Sequence, residues 1–159
     1  MTLAIRPIRE DELGGMLADM HANYVSAMVE DGGFDQDVAE EKATADNGVL
    51  FPDGRPTPDI GLYALEAEGA KIGRLCIAER PEILHRGALW ILELFIDEEH
   101  RGRGYGRQTL KFAEEEAARR GLDRLSLNVW GGNEIARRLY GEVGFRENAV
   151  LMTKSLGES

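Results

Sequence analysis

The chain of 159 residues has one cysteine, Cys76. No intramolecular disulfide can form, and no cysteine cluster can hold zinc. Long apolar runs are missing too. The longest candidate, Ala88 to Ile96, is interrupted by Glu93 and falls short of the ~18 residues a membrane helix needs. The opening MTLAIRPIRE lacks the apolar core of a signal peptide. These absences make the cytoplasm the expected compartment and exclude a membrane partner. Basic residues are the minority, 19 Lys and Arg against 29 Asp and Glu, with a net charge of −10. A nucleic-acid binder carries a basic footprint, so that class is excluded. The histidines (His21, His85, His100) are scattered and read as surface or packing residues, so no metal site is expected.

What is present fits one globular domain spanning residues 1–159, with 43% hydrophobic and 30% charged residues. The charge is uneven. Glu30, Asp31, Asp35, Asp37, Glu40, Glu41 and Asp46 face a single base, Lys42, in one stretch. Arg101, Arg103 and Arg107 lie together with no acid between them. A basic loop in an acidic protein points to a small anionic ligand.

Periodicity predicts a first strand over Leu3 to Ile8. A helix capped by Asp11 follows, with Leu13, Met16, Leu17, Met20, Tyr24 and Met28 at helical spacing. Gly32-Gly33 ends it, a second helix runs from Asp35 toward Ala45, and Asn47 to Ile60 reads as a long loop. Three strands are expected at Gly61–Ala67, Lys71–Ala78 and Ala88–Ile96, the first two joined by a turn at Glu68-Gly69-Ala70. In the third, Leu92, Leu94 and Ile96 alternate with Ile91, Glu93 and Phe95, as in a central strand. Then come a helix from Tyr105 to Arg120, a strand at Leu125–Val129, and a helix from Asn133 to Val143 with Ile135, Ala136, Leu139, Tyr140 and Val143 on its buried stripe. A last strand is expected at Val150–Lys154. Helix-linked strands imply a parallel pair and the hairpin implies antiparallel neighbours, so the sheet is mixed.

The most informative segment is RGRGYG, Arg101 to Gly106, between a buried strand and a helix. Glycines let the backbone turn tightly and approach a ligand. The free amides at the helix start suit a phosphate. The dinucleotide fingerprint would need glycine where Arg107 stands, and no Walker loop occurs. What remains is R-x-x-G-x-G, which taken alone is equally a glycine-rich turn with solvated arginines.

Context decides. LELFIDEEHRGRGYGRQTLKFAEEEA, Leu92 to Ala117, and LSLNVWGGNEIARRLYGEVGF, Leu125 to Phe145, resemble the GNAT superfamily of N-acetyltransferases. LFPDGRPTPD and NAVLMTKSL look like a bacterial subgroup with unassigned acceptors. The resemblance implies an α/β (α+β) fold: a mixed, twisted central sheet with helices on both faces and two parallel strands, Ala88–Ile96 and Leu125–Trp130, splayed apart. It implies acetyl-CoA as acyl donor. The pyrophosphate would lie on Arg101, Gly102, Arg103, Gly104, Tyr105, Gly106 and Arg107, the pantetheine on the freed backbone of Leu94, Phe95 and Ile96, and Asn133 would touch the same arm. Asn133 also suits an N-cap. Tyr140 is the candidate acid for the leaving thiolate; otherwise it fills the core. Glu93 is the candidate base, acting through water; otherwise it forms a structural salt bridge with an arginine. The reaction implied is transfer of an acetyl group to a primary amine by direct attack in a ternary complex. A non-catalytic acetyl-CoA-binding module of the same fold is the alternative. The acidic stretch Glu30–Asp46 lies where this family builds its acceptor site and would favour a cationic amine. A homodimer fits family habit. Cys76 reads as a small buried hydrophobe, and Trp90 and Trp130 as core or cleft wall.

Overall fold

Among the described residues five strands form one open sheet whose spatial order, β1-β2-β3-β4-β5, follows their order in the sequence. The computed structural model of the chain describes residues 2–79 and 87–157; His85 lies outside them. The elements are β1 Ala4–Pro7, α1 Leu13–Glu30, α2 Gln36–Leu50, β2 Ile60–Ala67, β3 Ala70–Glu79, β4 Ala88–Ile96, α3 Tyr105–Arg119, β5 Arg124–Leu127 and α4 Glu134–Glu142. The pairs β1–β2, β2–β3 and β3–β4 are antiparallel, and β4–β5 is parallel. Glu68 (φ 53°) and Gly69 (φ 79°) make the two-residue turn between β2 and β3, both in the left-handed conformation that matches strand twist.

The sheet separates two apolar layers. On one face Leu65, Leu75, Ile77, Leu89 and Ile91 pack with Tyr105, Leu110, Ala113 and Ala117 of α3. On the other, Leu62 and Cys76 pack with Leu13, Met16 and Met20 of α1. Farther along α1, Val25 and Met28 meet Ala39 and Ala43 of α2, whose small side chains allow close helix contact.

The alternation expected along β4 is broken by a bulge. Cys76 opposes Glu93 while the next residue, Ile77, opposes Ile91, so Leu92 is an extra residue on β4. One inserted residue reverses which face each later side chain takes. Leu94 and Ile96 therefore join Ile91 and Leu89 under α3, while Leu92 packs on the α1 side. Without the bulge Glu93 would follow Ile91 into the α3 layer.

Gly73 fixes the approach of β3 to the end of β4. A Cβ there would stand 2.2 Å from the Phe95 carbonyl oxygen. Gly73→Ala is expected to force the strands apart and to cost about 1–3 kcal/mol, as overpacking does. A thermal melt should show it as a fall of roughly 2–4 °C per kcal/mol; an unchanged melting temperature would show that the strands give way freely.

Several expectations need correction. Asp11 does not cap α1. It sits in a 3₁₀ turn, Glu10–Glu12, where the Glu12 carboxylate instead accepts the Arg9 N–H at 2.7 Å. α2 continues to Leu50, so the loop after it is shorter than Asn47–Ile60. β5 stops at Leu127 because the chain then turns toward the end of α1: Gly132 N–H donates to the Asp31 carbonyl at 3.2 Å, and Trp130 packs edge-on to Phe34. Ile135 is 87% exposed, since the first turn of α4 starts outside the core, and the inner stripe narrows to Ala136, Leu139, Tyr140 and Val143. Val150–Lys154 forms no strand. Leu151 and Met152, which would point to opposite faces, are both 85% exposed, so the segment gains neither a ladder nor a buried face.

Candidate functional site

The parallel ladder holds only Ala88–Ile91 against Arg124–Leu127. β4 runs on to Ile96 while β5 has ended, so the two strands part beside the bulge. Asp97 N–H donates to the Ile72 carbonyl at 2.8 Å. Alternation from there turns the backbone of Phe95 toward β3 and that of Leu94 and Ile96 outward into the gap. The expectation of three freed residues narrows to two. One outward group is already engaged: Arg101 Nε donates to the Ile96 carbonyl at 2.7 Å.

The glycine loop follows. Gly102 (φ 76°) and Gly104 (φ 84°) hold left-handed backbone, and no atom stands within 4 Å of where a Cβ would be at either. Gly104 is the residue before α3, so the first amides of a fifteen-residue helix face outward with the positive end of its dipole. Tyr105 is almost fully buried under the sheet, so only its backbone is available to a ligand. Gly106 lets α4 come close, a Cβ there meeting Leu139 at 3.3 Å. The loop arginines have protein partners. Arg103 donates to the Glu99 carbonyl at 3.3 Å, and Arg107 pairs with Glu142 of α4.

α4 forms the other wall. Asn133 caps it, its Oδ1 accepting from Ala136 N–H at 3.1 Å, so the side-chain amide N–H groups stay outside the cap bond. Tyr140 packs edge-on to Phe145, ring centroids 5.5 Å apart. Burial raises the Tyr140 phenol above its ordinary pKa, so it keeps its proton throughout the neutral range.

Glu93 lies on the α1 side of β4. Its Oε1 accepts from Arg74 Nε at 2.6 Å, and its Oε2 accepts from Arg74 Nη2 at 3.1 Å and from Asn23 Nδ2 at 2.9 Å. The salt bridge with an arginine is thus present. Arg74 and Asn23 were not foreseen. The available signal was Arg74 itself, a charge interrupting the apolar β3 as Glu93 interrupts β4. The α1–α2 rim beside them is acidic and cross-linked: Tyr24 donates to Asp46 at 2.7 Å, and His21 meets Glu40 at 3.2 Å and Asn47 at 2.9 Å. Among the described residues no group of His, Cys, Asp and Glu could hold a metal ion.

A parted parallel pair, outward strand amides and an open glycine loop at a helix start together fit a ligand with an extended amide-bearing arm and a phosphate end. Comparison with known proteins agrees. The chain is 31% identical over 157 residues to the uncharacterized N-acetyltransferase YycN of Bacillus subtilis (strain 168), covering 98% of this chain and 100% of that one. The crystal structure of YycN superposes with a TM-score of 0.86 at 30% identity, covering 99% and 100%. The spermine/spermidine N(1)-acetyltransferase of Bacillus subtilis is 32% identical over 96 residues, 58% of this chain and 61% of that one. AAC(6')-Iy, solved with a CoA-containing bisubstrate analog, shares the fold at a TM-score of 0.62 and 16% identity, covering 98% of each chain. Residues 25–145 match the acetyltransferase (GNAT) family, and the chain belongs to that family as an acetyl-CoA-dependent acetyltransferase.

Proposed function

We propose that this enzyme transfers an acetyl group to a primary, cationic amine by direct attack, with donor and acceptor bound together. The observation that carries the donor side is the open, left-handed backbone at Gly102 and Gly104 before α3, beside the outward groups of Leu94 and Ile96. Those residues, with the Asn133 side-chain amide, would hold acetyl-CoA, which supplies a thioester carbonyl for the amine to attack. The phosphate is held mainly by amides of residues 102–106, because Arg101, Arg103 and Arg107 are engaged with protein groups.

Tyr140 holds a proton at its phenol oxygen and gives it to the departing thiolate. An alkyl ammonium with a pKa near ~10.4 is almost wholly protonated at pH 7, a shortfall of roughly 4–5 kcal/mol. Glu93 takes that proton through a water molecule. It serves as a carboxylate fixed in place by Arg74 and Asn23. The exposed acids here, Asp35 just before α2 and Asp37 and Glu41 within it, draw a cation toward the α1–α2 rim. The polyamine acceptor named for one relative and the neamine derivative bound by AAC(6')-Iy are of this charge class.

Acetyl-CoA should protect the protein against heat, by about 2.7 kcal/mol at a hundredfold excess over its dissociation constant. NADH and ATP should protect far less, and equal protection by ATP would point to a nucleotide site instead. Thiol release across a panel of polyamines, aminoglycosides and neutral amino acids tests the acceptor. Turnover confined to neutral acceptors would overturn the cationic assignment, and protection without turnover on any amine would favour the non-catalytic binding module.

A further inference from the structure

A charged side chain inside a sheet survives only with partners that replace water. Arg74 has four. Its fork meets both oxygens of Glu93 at 2.6 and 3.1 Å, and Nη2 also reaches the Asp19 carbonyl of α1 at 3.4 Å. Its Cζ lies 4.3 Å from the centroid of the Phe95 ring, within range for a cation–π contact. The bulge at Leu92 makes this arrangement possible, because it brings Glu93 to the face where Arg74 can grip it. Phe95 has a second cation: Arg101 Cζ stands 5.2 Å from the same centroid, while Arg101 Nε braces the Ile96 carbonyl. One ring therefore touches both the arginine that holds the acceptor-side carboxylate and the first arginine of the glycine loop.

We infer that Arg74 is a positioning residue that couples Glu93 to the glycine loop through Phe95. The inference rests on the reading that the loop takes the pyrophosphate. Two like charges on one ring repel each other, and Glu93 offsets only the charge of Arg74. An anion on the loop offsets the charge of Arg101, strengthens the shared stack and holds Arg74 in its fork. Coupling of this kind is reciprocal, so loosening the fork weakens anion binding at the loop. Lysine cannot supply the fork or the flat cation, which makes Arg74→Lys a probe of geometry at constant charge.

Calorimetry with CoA itself tests this without turnover. Arg74→Lys should weaken CoA binding threefold to tenfold. In a Phe95→Leu background the same substitution should change CoA affinity by less than twofold, because the route is already cut. Asn23→Ala keeps Arg74 but removes an anchor from the Glu93 oxygen that Arg74 Nη2 grips, which loosens the fork, so it should weaken CoA twofold to threefold; it also serves if Arg74→Lys fails to fold. A lower melting temperature with unchanged CoA affinity would reduce Arg74 to a structural ion pair and overturn the coupling. Equal losses with and without the Phe95 ring would overturn the route. Failure of the unaltered protein to bind CoA would overturn the loop reading and the coupling with it, whereas normal binding indifferent to Arg74 and Asn23 would overturn the coupling alone.

Discussion

Gly104→Val should abolish measurable acetyl-CoA binding, while Arg103→Ala should weaken it only a few-fold. Gly104 stands at φ 84° with open space where its Cβ would be. A branched side chain is strained in that conformation, so the turn into α3 must change. It also fills the space through which a phosphate approaches the first amides of the helix. Both effects strike the backbone amides at the start of α3, where the positive end of the helix dipole lies. Arg103 is a different case. Its guanidinium is half exposed, leans on the Glu99 carbonyl at 3.3 Å and lies 4.0 Å from Glu68. Charge at such a place is screened by salt within about 8–10 Å. Calorimetry on both variants decides, and normal binding by Gly104→Val would remove the phosphate from this loop.

The loop was legible in the sequence because its signal is local: glycines at fixed spacing between an apolar strand and an amphipathic helix. The same holds for β4, whose bounds Ala88–Ile96 match the expectation, and for the hairpin at Glu68-Gly69. Long-range features were not legible. The bulge at Leu92 arises from pairing with β3, and no property of Leu92 itself announces it. It governs the site, since it sets the face on which Glu93 lies. The partners of Glu93 come from residues 19 and 70 positions away, Arg74 and Asn23. The tail failed for the opposite reason. Val150 to Lys154 opens with three apolar residues and reads as a short strand, but a strand needs a sheet to join, and the described chain offers it no ladder. Asn133 met the capping reading, and because a cap uses only its carbonyl oxygen, its N–H groups are left over for the proposed cofactor contact.

Tyr140→Phe should lower turnover by something like 10²–10⁴-fold, the usual worth of a positioned acid, and leave acetyl-CoA affinity nearly unchanged. The substitution removes one hydroxyl and keeps the ring, so the edge-on contact with Phe145 survives. A residue that only fills space would give the reverse pattern, a change in melting temperature with turnover within about threefold. The pH dependence supplies an independent check. Burial raises the phenol pKa, so the proton-bearing form persists past ~10, where a free tyrosine ionises. Tyr140 therefore contributes no falling limb to the rate between about pH 6 and 9, and the variant should keep the wild-type profile in that window at a lower level. Stability moves the other way at high pH. Above ~10 the unfolded chain has released the tyrosine proton that the folded chain retains, so folding weakens as pH rises. That loss should be smaller in Tyr140→Phe, which has no phenol to ionise there. Melting temperatures of both proteins from pH 8 to 11 measure it. Parallel curves would show that the phenol reaches water, and turnover of the variant near the wild-type rate would hand the proton to another group.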